Sequence, residues 1–203
     1  MSVKLAVSGA TGRMGHTLLE LASKDSRFEI VGALETVNHP MMGKPLAEVL
    51  PSLGSKIKAP LRPVLPEITP KPDVLIDLAT LTAAVRAALG PRYAAIMGTD
   101  ANVVRALIDA AQACGEHLWE LPLVAEYRTD IESSVADIKN TGEGTAGTII
   151  AALFLREFVG TVPWAHIDFS STVMTDKPLP CHPRGATGFG VRTLLHYLCA
   201  LGG

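Results

Sequence analysis

The sequence predicts an α/β fold: a doubly wound, Rossmann-like and mostly parallel sheet with helices on both faces, in three α/β/α layers. Two observations predict it. Strand-like segments alternate along the chain with helix-like segments, and the strand-like segments are almost continuously apolar, as strands buried on both faces are. A glycine-rich turn also joins the first strand to the first helix, which is typical of nucleotide-binding α/β folds.

Local patterns of apolar residues predict the individual strands and helices. An alternating apolar segment predicts a strand at residues 3–8, and apolar runs predict further strands at 28–34, 73–79 and 93–97. Helices are predicted at residues 12–23, 81–89, 100–114, 145–159 and 188–200. In the helix at 100–114 apolar residues recur at helical spacing, and Thr99-Asp100 supplies an N-cap signal.

Prolines are concentrated between residues 59 and 73, where five occur: Pro60, Pro63, Pro66, Pro70 and Pro72. Because proline lacks a backbone donor, this density excludes a regular helix or a central strand. The segment is predicted to be an extended connector. A surface crossover inside one domain and a linker between two domains are equally compatible with it.

The turn after the first strand carries three glycines spaced three residues apart. Gly9 permits a tight turn, Gly12 lets the backbone approach a pyrophosphate, and Gly15 lets the helix pack closely on the strand. The helix that follows would direct its N-terminal amides and the positive end of its dipole at the phosphates. This pattern predicts a dinucleotide phosphate site.

An acidic residue stands where such a site needs one. Glu35 ends the second predicted strand, twenty residues after Gly15, and a carboxylate at this spacing binds the ribose hydroxyls of a dinucleotide. A solvated strand-end charge is the alternative interpretation. We predict a cofactor site formed by Gly9, Thr11, Gly12, Arg13, Met14, Gly15 and Glu35.

At these residues the chain resembles dihydrodipicolinate reductase. Arg13-Met14-Gly15 and Gly32-Ala33-Leu34-Glu35 carry the resemblance, which covers residues 3–79 and implies an NAD(P)-binding domain. That family's catalytic segment, two histidines followed by a lysine, has no counterpart in the remaining residues. Members also carry arginines where this chain has His16 and Thr36, so the resemblance implies NADH in preference to NADPH.

From residue 74 to residue 203 the chain resembles the C-terminal part of the leucine aminopeptidase (cytosol aminopeptidase) family. The segments that carry this resemblance are Asp77-Leu78-Ala79-Thr80-Leu81-Thr82, Trp119-Glu120-Leu121-Pro122-Leu123 and Trp164-Ala165-His166-Ile167-Asp168. The resemblance implies pocket-lining roles for Thr80, Leu81 and Met174. The family's metal-binding lysine and carboxylates precede this segment and have no counterpart in residues 1–76, so we expect no metal and no aminopeptidase activity.

Both resemblances meet in the strand at residues 74–79, which predicts a chimera. We expect a dinucleotide-binding half at 1–79 and an aminopeptidase-like half at 80–203, packed as one continuous domain with one continuous sheet. An engineered or recombined protein joined at equivalent strands would have this form, whereas a natural fusion normally keeps whole domains. The sequence leaves both origins open.

Other polar groupings are weaker candidates for sites. His166 and Asp168 alternate on one strand and face the same side, as a metal or acid–base pair would, but a structural role is favoured. Asp176, Cys181 and His182 lie in a proline-rich loop where zinc is the alternative to a solvated loop. The second glycine-rich turn, at 185–190, precedes a helix and more simply shapes its start.

Composition excludes several classes of function. With a net charge of −2 and a pI near 6.3, the chain has no excess of positive charge with which to bind nucleic acid or an anionic membrane. No apolar run is long enough for a membrane span. A cytoplasmic protein is expected, and three cysteines do not form a disulfide framework. With 48% hydrophobic residues and 19% charged ones, the chain has ample material for a core.

The resulting hypothesis is an NAD(H)-binding scaffold for which we name no catalytic residue. A reductase that takes its acid from the second half, with His166 or Lys139 as the candidates, is one alternative. A structural chimera that binds nothing is the other. The only predicted partner is the dinucleotide, and the oligomeric state is left open, with a homo-oligomer among the alternatives.

Overall fold

The computed structural model of the chain describes residues 2–54, 57, 59–63, 72–180 and 182–202, without the side chains of Arg13 and Met14. The chain divides into two compact units. The first consists of Met1–Asp73 with Leu198–Gly203, and the second of Val74–Tyr197. The predicted boundary at residue 79 therefore lies within the second unit, and the packing of the two halves as one continuous domain stays a prediction.

The first unit is built on a parallel three-stranded sheet in the order β1-β2-β3. Its strands are β1 (Val3–Ser8), β2 (Phe28–Leu34) and β3 (Leu61–Arg62), and its first helix is α1 (Arg13–Ser23). Residues of β1 and β2 pair in order from Val3 with Phe28 to Ser8 with Leu34. The two predicted strands and the first helix are thus confirmed to within a residue.

The core of the first unit explains why α1 forms where it does. Gly15, Leu19 and Ala22 recur at helical spacing and are all buried. Two short elements add to this core without having been predicted: α2 (Leu46–Val49) and a 3₁₀ turn (Pro51–Leu53), which bury Leu46 and Leu53. Both are too short for an apolar periodicity to develop in the sequence.

The proline-rich segment contains β3, a strand of two residues that pairs with β2 at one edge of the sheet. An edge position agrees with the expectation that the prolines exclude a central strand. Residues 64–71 lie outside the described residues, so the interpretation of this segment as a connector stays a prediction.

The second unit is built on a four-stranded sheet in the order β4-β7-β5-β6. Its strands are β4 (Leu75–Ala79), β5 (Ala94–Gly98), β6 (Leu118–Glu120) and β7 (Trp164–Asp168). Its helices are α3 (Ala84–Leu89), α4 (Ala101–Ala113), α5 (Gly147–Arg156) and α6 (Val191–Gly202), the last of which ends in the first unit. A 3₁₀ helix (Ala125–Ile131) and the paired strands β8 (Met174–Thr175) and β9 (Gly185–Ala186) complete the described elements.

An α/β fold with mostly parallel strands is confirmed. The β1–β2, β2–β3, β4–β7 and β5–β6 pairs are parallel, whereas β5–β7 and β8–β9 are antiparallel. The described strands lie in separate sheets, which differs from the single continuous sheet that we expected. An apolar run predicts that a strand is buried but carries no information on its direction or its neighbours.

Local hydrogen bonds explain where the predicted helix bounds differ from the observed ones. The helix expected from residue 81 begins at Ala84, and before it the amide and hydroxyl of Thr82 both donate to the Asp168 carboxylate. α4 begins as predicted, with the Asp100 side chain accepting from the amides of Asn102 at 2.8 Å and Val103 at 3.1 Å. No helix in the described part of the chain is long and apolar enough to cross a membrane.

A buried carboxylate organises the start of α6. Glu116 is only 3% exposed and accepts hydrogen bonds from the amides of Gly190 and Thr193, each at 3.2 Å, and from the Thr193 hydroxyl at 2.5 Å. These bonds satisfy amides that a helix start leaves without intrahelical partners. Gly188 and Gly190 both have a positive φ, so the chain turns here and α6 begins at Val191 instead of residue 188.

We predict that Gly15→Ala destabilises the first unit. An ideal Cβ at this position would lie 2.1 Å from the Gly9 carbonyl oxygen and 2.8 Å from the Ala10 Cα, so the backbone itself must move. Alanine normally stabilises a helix relative to glycine, and a loss of about 2 kcal/mol in the free energy of unfolding would therefore come from this clash. Urea denaturation measures it.

The matched control is Gly147→Ala in the first turn of α5, where an added Cβ would lie 3.4 Å from the Ala84 Cβ, an ordinary contact. That variant should unfold within about 0.5 kcal/mol of the parent chain. Equal stability of the parent chain and Gly15→Ala would contradict the packing described here.

Candidate functional site

The predicted dinucleotide turn lies at the carboxyl end of β1, next to the carboxyl end of β2. The amides of Gly9 and Ala10 both donate to the Leu34 carbonyl, at 2.9 and 3.3 Å, and the Gly12 amide donates to the Gly9 carbonyl at 3.0 Å. The turn is therefore tied to the end of the neighbouring strand. In parallel α/β sheets this edge is where ligands bind.

Two of the three glycines are needed for different reasons. Gly9 has a φ of +66°, and an added Cβ there would meet no atom within 4 Å, so glycine is favoured by backbone conformation alone. Gly15 is required by space, as its contact with Gly9 shows. At Gly12 an added Cβ would lie 3.2 Å from the Gly9 carbonyl oxygen, which a shift of a few tenths of an ångström would relieve.

Glu35 lies beside this turn, as predicted, although 24 residues separate it from Thr11. The Thr11 amide and hydroxyl donate to its Oε1 at 3.0 and 2.7 Å, and the Thr36 amide donates to its Oε2 at 3.2 Å. The sequence placed Thr11 in the site only as part of the glycine motif. Its hydrogen bonds to Glu35 depend on the pairing of β1 with β2, which brings the two strand ends together.

The electrostatics keep Glu35 ionised. Partial burial is the largest single influence and raises the pKa of the carboxyl, but the hydrogen bonds from Thr11 and Thr36 and the nearby His39 together outweigh it. The pKa of Glu35 is therefore lowered from its ordinary value of 4.5. A charged carboxylate accepts hydrogen bonds from ribose hydroxyls and repels a phosphate.

His16 and Thr36 stand where the reductase family carries arginines. Nε2 of His16 lies 2.7 Å from the Ser52 hydroxyl oxygen, and Thr36 is exposed. One arginine does lie nearby: Arg62 of β3, whose carbonyl accepts from the Glu35 amide at 3.0 Å. Its Nε is buried and has no hydrogen-bond partner. Sequence reasoning missed this residue because only the pairing of β3 with β2 brings it here.

The other predicted site residues lie in α1 and in the second unit. Arg13 and Met14 form the first turn of α1, and their side chains lie outside the described part of the structure. Among the expected pocket-lining residues of the second unit, Thr80 is exposed, and Leu81 and Met174 are 45% and 63% exposed.

His166 and Asp168 both lie on β7 and are fully buried, but they bind different partners. Nδ1 of His166 lies 2.9 Å from the carboxylate of Asp77 on β4, while Asp168 accepts from Thr82 and from the Ser170 hydroxyl. Asp77 pairs with His166 in the parallel register of β4 and β7. The sequence did not connect these two residues, since 89 positions separate them.

The acid candidates of the reductase alternative have different surroundings. His166 has no exposed surface, and Nζ of Lys139 lies 3.6 Å from the carboxylate of Glu143. Within the described ranges no group of three or more histidine, cysteine, aspartate or glutamate side chains is placed to hold a metal ion. Cys181, part of the zinc alternative, lies outside those ranges. The residues described here therefore do not fit a two-metal centre.

Comparison with known proteins identifies both halves. Residues 64–195 match the model of the "Cytosol aminopeptidase family, catalytic domain", and residues 3–115 match that of "Dihydrodipicolinate reductase, N-terminus". The chain belongs to both families. Their matches overlap at residues 64–115, a stretch that contains β4, α3, β5 and α4 and extends well beyond the shared strand at 74–79.

Curated relatives and a solved structure agree with the aminopeptidase match. Proteins called "Probable cytosol aminopeptidase" from Prochlorococcus marinus and Geobacter sulfurreducens are 49% and 52% identical over 130 residues, which are 64% of this chain and 26% of each relative. A relative from Roseiflexus castenholzii is 37% identical over 211 residues, covering 97% of this chain and 43% of its own length.

Among solved structures, "Bottromycin maturation enzyme BotP in complex with Mn" is 41% identical with a TM-score of 0.63, and the match covers 66% of this chain and 30% of that one. The chain thus spans about a quarter to less than half of the length of these proteins. The aminopeptidase family match covers the second half of the chain, and the reductase family match shows a Rossmann-like first half.

We predict that Glu35 titrates below 4.5 in the folded chain and that Thr11→Val moves its pKa upward, because the variant loses one of the hydrogen bonds that favour the ionised form. A lowered pKa means that Glu35 contributes stability above its unfolded pKa and loses that contribution as the pH falls through its folded pKa. Carboxyl-carbon NMR titration measures the shift. An unchanged midpoint in Thr11→Val would contradict it.

Proposed function

We propose that this chain binds NAD(H) at the turn from Gly9 to Gly15, with Glu35 at the ribose, and that it is a recombined or engineered chimera without the catalytic residues of either parent family. The observation that carries the proposal is the Glu35 carboxylate held against the glycine turn by Thr11. A solvated strand-end charge, the alternative interpretation, would not need two donors from a residue of that turn.

The backbone of the turn supports this assignment. Gly12 precedes the first residue of α1 and has an extended conformation (φ −69°, ψ 162°), so the turn leads straight into the helix start. The first amides of a helix lack intrahelical acceptors and favour an anion. In turns of this type a glycine at the position of Gly12 lets the backbone approach a pyrophosphate, and Gly15 lets the helix pack closely on the strand.

The cofactor would supply a hydride when bound. The residues of this chain would bind and orient it: the amides of the turn at the phosphates, and the Glu35 carboxylate at a ribose hydroxyl. We assign no proton transfer, because His166 is buried against Asp77 and the other candidate, Lys139, lies beside Glu143. An NAD(P)H-dependent reductase and a structural chimera that binds nothing remain the rival proposals.

The proposal of a chimera rests on the overlap of the two family matches. Both family models match residues 64–115, which form a strand, a helix, a strand and a helix in this chain, so a join inside this stretch would fall in a segment that both families can supply. Apolar strands buried on both faces follow the same general pattern in different α/β proteins. No peptidase activity is proposed for this chain, because its described residues do not include a two-metal ligand set.

We predict that NADH raises the melting temperature of the chain. A ligand at a hundredfold excess over its dissociation constant stabilises the protein that binds it by about 2.7 kcal/mol. For a chain of this size that corresponds to an increase of about 5–10 °C. Thermal unfolding with and without millimolar NADH measures it.

The informative variant is Gly12→Val, which adds a branched side chain at the position where the backbone would approach the pyrophosphate, while its Cβ requires only a small shift of the Gly9 carbonyl oxygen. It should keep a cooperative melt without ligand and lose the increase caused by NADH. The absence of an increase in the parent chain favours the structural chimera. An equal increase in Gly12→Val would move the site away from this turn.

We also predict that NADH binds more tightly than NADPH. The ionised Glu35 carboxylate repels a 2′-phosphate, and Glu35→Ala should therefore narrow the ratio of the two affinities, by roughly tenfold if the repulsion is worth about 1.4 kcal/mol. Isothermal titration with both cofactors measures the ratio. Arg62→Ala serves as the comparison, since Arg62 is the cation one strand away.

In Arg62→Ala the ratio should stay within about twofold of that of the parent chain, because Arg62 is not among the groups that shift the pKa of Glu35 and its Nε has no hydrogen-bond partner. Equal affinities for NADH and NADPH in the parent chain would refute the preference. If Arg62→Ala then restored a preference for NADH, Arg62 would be identified as the group that holds the 2′-phosphate.

A further inference from the structure

The acceptor positions of Glu35 are mostly in use before any ligand arrives. An ionised carboxylate has about four lone-pair positions, two on each oxygen. The Thr11 amide and hydroxyl use two on Oε1, and the Thr36 amide uses one on Oε2. These three hydrogen bonds therefore leave one position, on Oε2.

The two atoms of Thr11 play unequal roles. Its amide is fixed by the turn, which is tied to Leu34 and closed by the hydrogen bond from Gly12 to Gly9. Its hydroxyl makes the shorter bond to Oε1, at 2.7 Å against 3.0 Å for the amide. Together the two donors fix both the distance of the carboxylate from the turn and its rotation, because a single donor would leave the carboxylate free to swing.

We propose that Thr11 is a positioning residue for the dinucleotide: it holds Oε1 of Glu35 and thereby presents Oε2 to one ribose hydroxyl. This inference rests on the proposed function and adds a determinant of cofactor choice to it. A carboxylate fixed in this way accepts one hydroxyl group and keeps its charge close to the 2′ position. It therefore favours a free ribose diol over a 2′-phosphate.

The test is a double-mutant cycle between Thr11→Val and Glu35→Ala, with binding of NADH and NADPH measured by isothermal titration. Thr11→Val removes the hydroxyl and keeps the size and shape of the side chain. It should weaken NADH binding by about three- to tenfold. NADPH binding should weaken less, because a Glu35 carboxylate that is free to move away repels the 2′-phosphate less strongly. In Glu35→Ala the same substitution should change NADH affinity by less than about twofold.

Two further variants separate positioning from general stability. Thr11→Ser keeps the hydroxyl and should bind NADH within about twofold of the parent chain. Thr129→Val deletes a hydroxyl of the second unit that donates to the Glu126 carbonyl at 3.1 Å, and should leave both affinities unchanged. Melting temperatures without ligand report any loss of fold in each variant.

The outcomes distinguish this inference from the proposed function. If the parent chain does not bind NADH, both are overturned. If it binds NADH but Thr11→Val binds equally well or more tightly, only the role of Thr11 is overturned. A loss that persists undiminished in the Glu35→Ala background would make Thr11 a direct ligand contact or a structural residue. A loss confined to chains that contain Glu35 and reversed by Thr11→Ser supports the inference.

Discussion

The close approach of α1 to the end of β1 constrains everything else in the first unit. Only a residue without a Cβ fits at Gly15, since an added atom would lie 2.1 Å from the Gly9 carbonyl oxygen. With the helix this near, the turn is short, the hydrogen bond from Gly12 to Gly9 closes it, and Thr11 is left at the edge facing Glu35. The backbone packing at the glycines thus sets the geometry of the candidate site, and the hydrogen bonds from Thr11 to Glu35 depend on that geometry.

The second unit depends on a different constraint, the burial of β7. All five of its residues are buried, yet two of them, His166 and Asp168, carry polar side chains. Burial of such groups is costly unless they are hydrogen-bonded. Asp77 is the partner of Nδ1 of His166, and Thr82 and Ser170 donate to Asp168, whereas the buried Nε2 of His166 has no hydrogen-bond partner in the described part of the chain. These bonds join β7 to β4 through Asp77 and to the segment before α3 through Thr82. The polar side chains of β7 therefore contact different neighbouring segments and do not form a common site.

The overlap of the two family matches has a physical basis in these packing rules. A parallel strand and its following helix contribute an apolar run, a turn and an amphipathic face. A segment of the same pattern and length from another α/β protein can replace them at some cost in packing. A site is less transferable, because it needs particular side chains from several elements at once. A chain that joins two α/β parents can keep the fold of both. It keeps a binding site only where every residue of that site comes from the same parent. The glycine turn and Glu35 both lie in the part of the chain that matches the reductase family alone.

The sequence by itself determined the α/β class, the longer strands and α-helices, the glycine turn and Glu35, because each depends on local periodicity, on N-capping or on a fixed spacing after the turn. It did not determine the antiparallel pairing of β5 with β7, since buried strands look alike in either direction. It also gave no sign of Arg62 beside Glu35 or of the bond between His166 and Asp77. Those contacts join residues far apart in the chain, and only strand order and register bring them together.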